Sequence, residues 1–339
     1  MRKSMGRPKL ADVAKHSGLS ITTVSMVLND RPNSRISEDA RLRVLESAKT
    51  LNYRPNISAK TLKTSKNNMI GFISDEVATT RFASGLIRGA LNETLNSNHA
   101  MLVMETGGDY ALEEEAFHTL SDRQVDRIIF ASMRAREIEL PPVSANTRIV
   151  MLNATNALHP LSVLPDEFTG GQTAIKALVK GKKKERIALI GKNKRVEESI
   201  FDSITIPLRL AGMKEQLKLL GAKIEIEIET NSWDPEDGFD ATVRLLREHD
   251  YITHLICMND RLAFGAYQAI ALSQRSIPGD IAIVSFDDDP LAGYLKPGLT
   301  TISLPHEEMG AQAVKLLLSD SISCLKLFPM HLIARESVS

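Results

Sequence analysis

Between Met69 and Phe286, apolar runs of five or six residues alternate with amphipathic stretches of helical period, and this alternation limits the fold more than any other feature. Ile70–Ser74, Met101–Glu105, Arg127–Ala131, Ile149–Asn153, Ile187–Gly191, Ile224–Ile228, Leu255–Asn259 and Ile281–Phe286 read as strands. Phe82–Leu95, Gly171–Val179, Leu208–Leu220 and Leu262–Leu272 read as helices among them. A strand that returns through a helix to a second strand makes a parallel crossover, so doubly wound parallel sheets are expected. So many strands strain a single twisted sheet, and 339 residues exceed what one core organises, so two lobes are expected. After Leu299 the chain reads as strand, helix (His306–Leu318) and a final strand near Leu327–Ala334, a tail able to complete both lobes.

The first 66 residues are of another kind. They hold fourteen Lys and Arg against five Asp and Glu, a net of +9, while the whole chain is neutral. A basic head on an acidic body suits a polyanion-binding module. Leu10 to His16 reads as a short helix around Val13 and Ala14, which Gly18 breaks. Ser20 is placed to cap a second helix running to about Asn29, with Leu19, Val24, Val27 and Leu28 on its inner side. Small residues at Ala14 and Gly18 are expected to let the two helices cross closely. Ile21, Thr22, Thr23, Ser25 and Met26 are left facing outward. Ser37 caps a third helix, with Glu38 and Asp39 in its first turn, where the helix dipole favours acid, and Val44, Leu45, Ala48 and Leu51 facing inward. Two helices joined by so tight a turn are a helix-turn-helix, whose second helix enters the major groove of DNA.

The motif D-V-A-x-x-x-G-L-S-x-x-T-V-S-x-V-L-N from Asp12 to Asn29, with Leu51-Asn52-Tyr53-Arg54-Pro55-Asn56 after it, resembles the heads of the LacI/GalR family of bacterial regulators. Similar stretches continue through the body, among them Gly71-Phe72-Ile73, Leu208-Arg209-Leu210-Ala211-Gly212, Asn259-Asp260-Arg261 and Ser285-Phe286-Asp287-Asp288. The resemblance implies a helix-turn-helix domain at 1–54, a hinge at 55–66 and an effector-binding and dimerisation domain at 67–339. The body would have the periplasmic-binding-protein fold, its N-lobe at about 67–164 and 293–322 and its C-lobe at about 165–292 and 323–339, with three crossovers between them. DNA contacts are then expected from Ser20, Ile21, Thr22, Thr23, Ser25, Met26, Asn29, Arg35, Ser37, Tyr53, Asn56, Ala59, Leu62 and Lys63. Leu62 would wedge into the minor groove, because a segment as short and polar as Ile57–Thr64 gains helical structure only against a partner. Met26 stands where relatives often carry a basic or polar residue; Met donates no hydrogen bond to guanine but packs on a thymine methyl. A homodimer on two-fold operator DNA follows from the need to read two half-sites.

The same resemblance places the effector at Asp75, Phe82, Asn153, Arg209, Trp233, Asn259 and Asp287, at the C-terminal ends of strands where open α/β sheets bind ligands. Arg209 offers a planar fork of donors to hydroxyls, carboxylate or phosphate, or else it makes a surface ion pair. Trp233, the sole tryptophan, lies in the polar loop Asn231-Ser232-Trp233-Asp234-Pro235, where a stacking platform is more at home than a core residue. Asp287 is a pocket acceptor or one of three solvated turn acids, and Phe82 is pocket wall or core. An indole, a guanidinium and several carboxylates or amides suit a sugar or sugar phosphate first and a nucleobase second.

Other functions find little support. No run of eighteen apolar residues is present, and the basic N-terminus leads into no apolar signal core, so a cytoplasmic protein is expected. Cys257 and Cys324 lie far apart with no partner at metal-ligand spacing, so neither a metal nor a cofactor is expected. Gly107-Gly108 and Gly170-Gly171 are too sparse for a phosphate loop, and no nucleophile elbow or zinc-protease motif occurs, so the chain is not read as an enzyme.

Overall fold

The computed structural model describes residues 8–29, 36–53, 67–80, 83–180, 185–193 and 203–338. The chain divides into two compact units, Met1–Asn67 and Asn68–Ser339.

The head is built from α1 (Leu10–Ser17), α2 (Ile21–Leu28) and α3 (Glu38–Thr50) around Val13, Ala14, Val24, Val27, Val44 and Ala48. Gly18 ends α1 at φ 66°, the left-handed conformation that glycine adopts without strain. A side chain there would meet nothing within 4 Å, so Gly18 is required by the turn and not by a close helix crossing as the sequence suggests. Leu45 is also placed differently: it is exposed, and the inward face of α3 is Val44, Ser47 and Ala48, with half-buried Leu51 packing on that core one turn further on. The i, i+3, i+4, i+7 spacing admits one of Leu45 and Ser47, and the compact head accommodates the smaller. Ser20 and Ser37 both cap as expected, accepting from Thr23 N and Ala40 N. Replacing Ser37 by Ala is expected to cost about 1 kcal/mol of head stability. Denaturation followed by helical circular dichroism would read this, and an unchanged midpoint would remove the cap from the account.

The body holds two six-stranded sheets. Lobe 1 contains β1 (Met69–Ser74), α4 (Ser84–Asn96), β2 (Ala100–Glu105), α5 (Tyr110–Asp122), β3 (Arg127–Glu137), β4 (Arg148–Thr155) and β5 (Leu161–Asp166). The chain crosses at Asp166 into lobe 2, which contains α6 (Glu167–Leu178), β6 (Ile187–Lys192), α7 (Ile206–Leu219), β7 (Ile224–Glu229), α8 (Pro235–Glu248), β8 (His254–Cys257), α9 (Asp260–Leu272), β9 (Ala282–Asp287), α10 (Pro290–Tyr294) and β10 (Thr300–Ser303). It returns to lobe 1 for α11 (His306–Leu318) and β11 (Cys324–Pro329), and ends in lobe 2 with β12 (His331–Ile333). Strand orders are β11-β5-β4-β3-β1-β2 and β12-β10-β9-β8-β6-β7, parallel except for β12. Lobe 1 shows why continuous apolar runs were needed. Ile70, Phe72, Ile129, Val150 and Leu152 face α4 and α11, while Ile73, Ile128, Phe130 and Met151 face α5.

The tail corrects the lobe boundaries. β10 pairs with β9 and so belongs to lobe 2, although 293–322 is expected in lobe 1. β11 pairs with β5, Cys324 opposite Leu161, and so belongs to lobe 1, although 323–339 is expected in lobe 2. The apolar run near Leu327–Ala334 is two strands in two sheets, with Met330 at the crossing between them.

Helices α6 and α7 pack through facing glycines. A Cβ on Gly171 would meet the carbonyl oxygen of Arg209, and one on Gly212 that of Phe168. This approach sets the first turn of α7 against that of α6, which determines what Arg209 touches.

Candidate functional site

On the head, α2 presents Ile21, 53% exposed, and Thr22 to solvent, with Thr23, Ser25 and Met26 half-buried and Asn29 exposed. Several of its polar groups are engaged with each other. The Ser20 and Thr23 hydroxyls lie 2.8 Å apart, and the Asn29 amide donates to Ser25 O at 2.7 Å. Ile21, Thr22 and Met26 therefore supply the surface least tied to the helix itself. Tyr53 packs on the head core. Arg35, Asn56, Ala59, Leu62 and Lys63 lie outside the described residues.

In the body a cavity of about 1020 Å³ opens between the lobes at the C-terminal ends of the strands. It is lined by Asn153 and the β3 bulge from lobe 1, and by Arg209, Trp233, Asn259 and Asp287 from lobe 2. Five of the seven expected effector residues are thus brought together. Phe82 lies outside the described residues, and Asp75 does not reach the cavity. The Asp75 carboxylate instead accepts from the Ser132 hydroxyl at 2.6 Å, Met133 N at 2.9 Å and the Arg136 guanidinium at 3.2 Å. It fixes the bulge where β3 departs from β4 register between Ala131 and Arg136. Ile204 N of lobe 2 donates to Ala135 O of that bulge at 2.9 Å, a bond across the cleft.

Backbone strain marks two of these residues. Among the described residues, seven that are not glycine have positive φ. Asn52, Asn98, Gln124 and Gln274 follow helix ends, where the left-handed turn is routine. The remaining three are Asn153 at 52°, Asp287 at 110° and Asp288 at 56°, and the first two line the cavity. Strain of this kind, about 1–3 kcal/mol each, concentrates at ligand sites. Asn153 spends its amide N–H groups on Ser132 O and Met133 O, leaving its side-chain oxygen for the cleft. Asn259 caps α9 through Leu262 N and holds the tryptophan loop by donating to Trp233 O at 3.1 Å. The Trp233 ring N–H donates to Gly191 O at 2.8 Å, so what the indole offers the cavity is ring surface.

Arg209 is only 2% exposed and its role differs from the fork of free donors the sequence suggests. Nε and one terminal nitrogen bind the Glu167 carboxylate side-on at 2.6 and 2.7 Å, and the other terminal nitrogen donates to Met258 O at 2.7 Å. The guanidinium lies 4.0 Å over the Phe286 ring. Glu167, itself 3% exposed, is the residue that sequence reading missed. The signal was present: Asp166 caps α6 through Thr169 N, which puts Glu167 in the first turn.

Beneath the floor, Asp260 is fully buried and accepts from the Ser285 hydroxyl and from Asp289 N. Burial pushes its carboxyl up to about 7, and burial does the same for Glu113 in lobe 1. Both groups hold in the folded state a proton the unfolded chain releases near pH 4. Their contribution is therefore lost as pH rises from about 4 to about 7 and is flat above that. Between pH 5 and 8 the wild type is expected to lose melting temperature relative to an Asp260→Asn, Glu113→Gln double variant. Parallel curves for the two proteins would mean ordinary carboxyls.

A helix-turn-helix head and a two-lobed α/β body with a cleft together define a DNA-binding transcriptional regulator of the sensor type. Residues 9–56 match the family described as bacterial regulatory proteins, lacI family, and residues 177–338 match the periplasmic binding protein-like domain. The ribose operon repressor of Haemophilus influenzae is 31% identical over 320 residues, covering 91% of this chain and 90% of that protein. The HTH-type transcriptional regulator RegA of Clostridium saccharobutylicum is 28% identical, covering 91% of each. A Lac repressor dimer bound to operator and the anti-inducer ONPF superposes with a TM-score of 0.78 at 24% identity, covering 98% of this chain and 100% of that one. The chain belongs to the lacI family of bacterial regulatory proteins. Its relatives are transcriptional regulators, and among the described residues no helix is long and apolar enough to cross a membrane.

Proposed function

We propose that this regulator is a cytoplasmic repressor, acting as a homodimer on a two-fold operator, whose grip on DNA is set by a small polyhydroxylated molecule bound between the lobes. Boundaries of 1–54 for the DNA-binding domain, 55–66 for the hinge and 67–339 for the sensor accompany this reading. The observation that carries it is the cleft itself, where strained Asn153 and Asp287 face a cavity that Trp233 lines with ring surface. An indole face suits the C–H face of a sugar ring, and amide and carboxyl oxygens suit its hydroxyls. Relatives that are ribose operon repressors support repression as the direction of control. Because those relatives are regulators, the cleft is read as a binding and not a catalytic site. The Ile204–Ala135 bond joins the two lobes, and a molecule that favours one lobe spacing would change the population in which this bond exists.

The test is operator affinity, on DNA selected from a random pool, with and without neutral sugars and nucleobases. A coupling of about 1–3 kcal/mol, roughly a 5- to 150-fold change, is expected for the effector. A nucleobase acting where all sugars fail would replace the sugar reading, and unchanged affinity throughout would end it.

A further inference from the structure

We propose that α2 reads the operator through the C5 methyl groups of thymine, with Ile21, Thr22 and Met26 as the side chains that select them.

A recognition helix meets base edges in the major groove with the side chains of its N-terminal part. Here that helix runs Ile21-Thr22-Thr23-Val24-Ser25-Met26-Val27-Leu28, and none of these side chains is charged, an amide or an imidazole. The commonest specific grip on guanine is Arg or Lys on O6 and N7, and that on adenine is the amide of Asn or Gln. α2 holds neither within its length. The amide just beyond its end is engaged, since the Asn29 nitrogen donates to Ser25 O at 2.7 Å. At its start the Ser20 hydroxyl accepts from Thr23 N at 3.1 Å and lies 2.8 Å from the Thr23 hydroxyl.

What α2 does offer is hydrocarbon. Ile21, at the first helical position, is 53% exposed, and Thr22 beside it is exposed as well. Met26 follows Thr22 by four positions, so the two share a face. Val24 and Val27 fill the head core from the opposite side, with Leu28 packed against it. Among the described residues Met26 is not part of that packing. It is a long, unbranched apolar arm that the fold of the head does not use, and a thioether chain adapts to the surface it meets. The apolar group that a base pair presents in the major groove is the thymine methyl. The Thr22 methyl suits the same target, while its hydroxyl bonds either kind of base edge and adds little choice. Affinity and choice are thus divided. The net +9 of residues 1–66 attracts phosphate, which carries no sequence information, and α2 selects bases without charge.

The experiment enriches operator DNA from a random pool on the full-length protein, then replaces each thymine of a half-site in turn by deoxyuridine. Uracil lacks the methyl, keeps every donor and acceptor, and leaves the minor groove unchanged. At least one thymine in each half-site is expected to be sensitive, by about fourfold, the worth of one buried group of CH₂ size. Replacing it in both half-sites together should weaken binding about fifteenfold. The same duplexes are measured with Ile21→Ala and Met26→Ala, each checked for folding by helical circular dichroism. At least one variant should bind the thymine and uracil duplexes alike at the sensitive position. A flat uracil scan with the wild type overturns the proposal, whether or not the variants fold. So does a sensitive position at which both folded variants lose as much as the wild type, because another segment is then reading that methyl. A pool that yields no preferred sequence removes sequence reading by the head altogether, whereas a preferred sequence indifferent to uracil removes the methyl reading alone.

Discussion

Raising monovalent salt from about 50 to 200 mM is expected to weaken operator binding by roughly 10³–10⁵-fold, the loss that follows when 6–10 phosphate contacts release their counterions. The first 66 residues carry a net +9 and the rest an equal negative charge, so nearly all of this dependence should reside in the head. Anisotropy titrations on a selected operator and on random DNA would give the two slopes. Both should be steep, because phosphate contacts fix position and carry no sequence information. Removing residues 1–66 should abolish binding at every salt concentration. A body that still bound tightly, or a flat salt profile, would remove the head from the mechanism.

The largest stability effect is expected at Arg209. Replacing it by Ala strands Glu167 as an uncompensated charge at 3% exposure, and loss of one partner of a buried pair costs about 3–5 kcal/mol. The loss should appear as a lower urea midpoint for the body, quite apart from any ligand. A Glu167→Leu, Arg209→Met double variant should recover most of it, since apolar residues of similar size leave no charge behind. Its ligand response should nonetheless be gone. If Arg209→Ala melted like the wild type, the pair would not be holding α6 to α7.

The alternation of apolar runs made both sheets legible, and Ser20 and Ser37 made the head legible, because these features are local in the chain. What the sequence hid depends on contacts distant in the chain. Leu45 looks inward by hydrophobicity, but a turn of helix has room for Ser47 and not for both. β3 was expected to stop at Ala131; it runs to Glu137 because Asp75, just past the end of β1, ties Ser132 and Met133 into a bulge. The resemblance placed Arg209 in the cleft, where it lies, yet its partner Glu167 sits 42 positions earlier and nothing local in the chain pairs the two. The tail read as strand, helix and one final strand where the fold has two, and nothing local tells β10, β11 and β12 which sheet has a vacant edge.

That tail has a consequence for the order in which the protein becomes functional during synthesis. Lobe 1 lacks its edge strand until Pro329 has been made, and lobe 2 lacks its own until Ile333. The head, with its own core, is complete at Tyr53. At about 5–20 residues per second, the ribosome releases a finished DNA-reading head roughly 15 to 55 seconds before either half of the sensor can close its sheet. For that interval the nascent chain displays a surface with affinity for nucleic acid and has no means of responding to a ligand. The closing of the two sheets behind it is what separates an emerging head from a regulator.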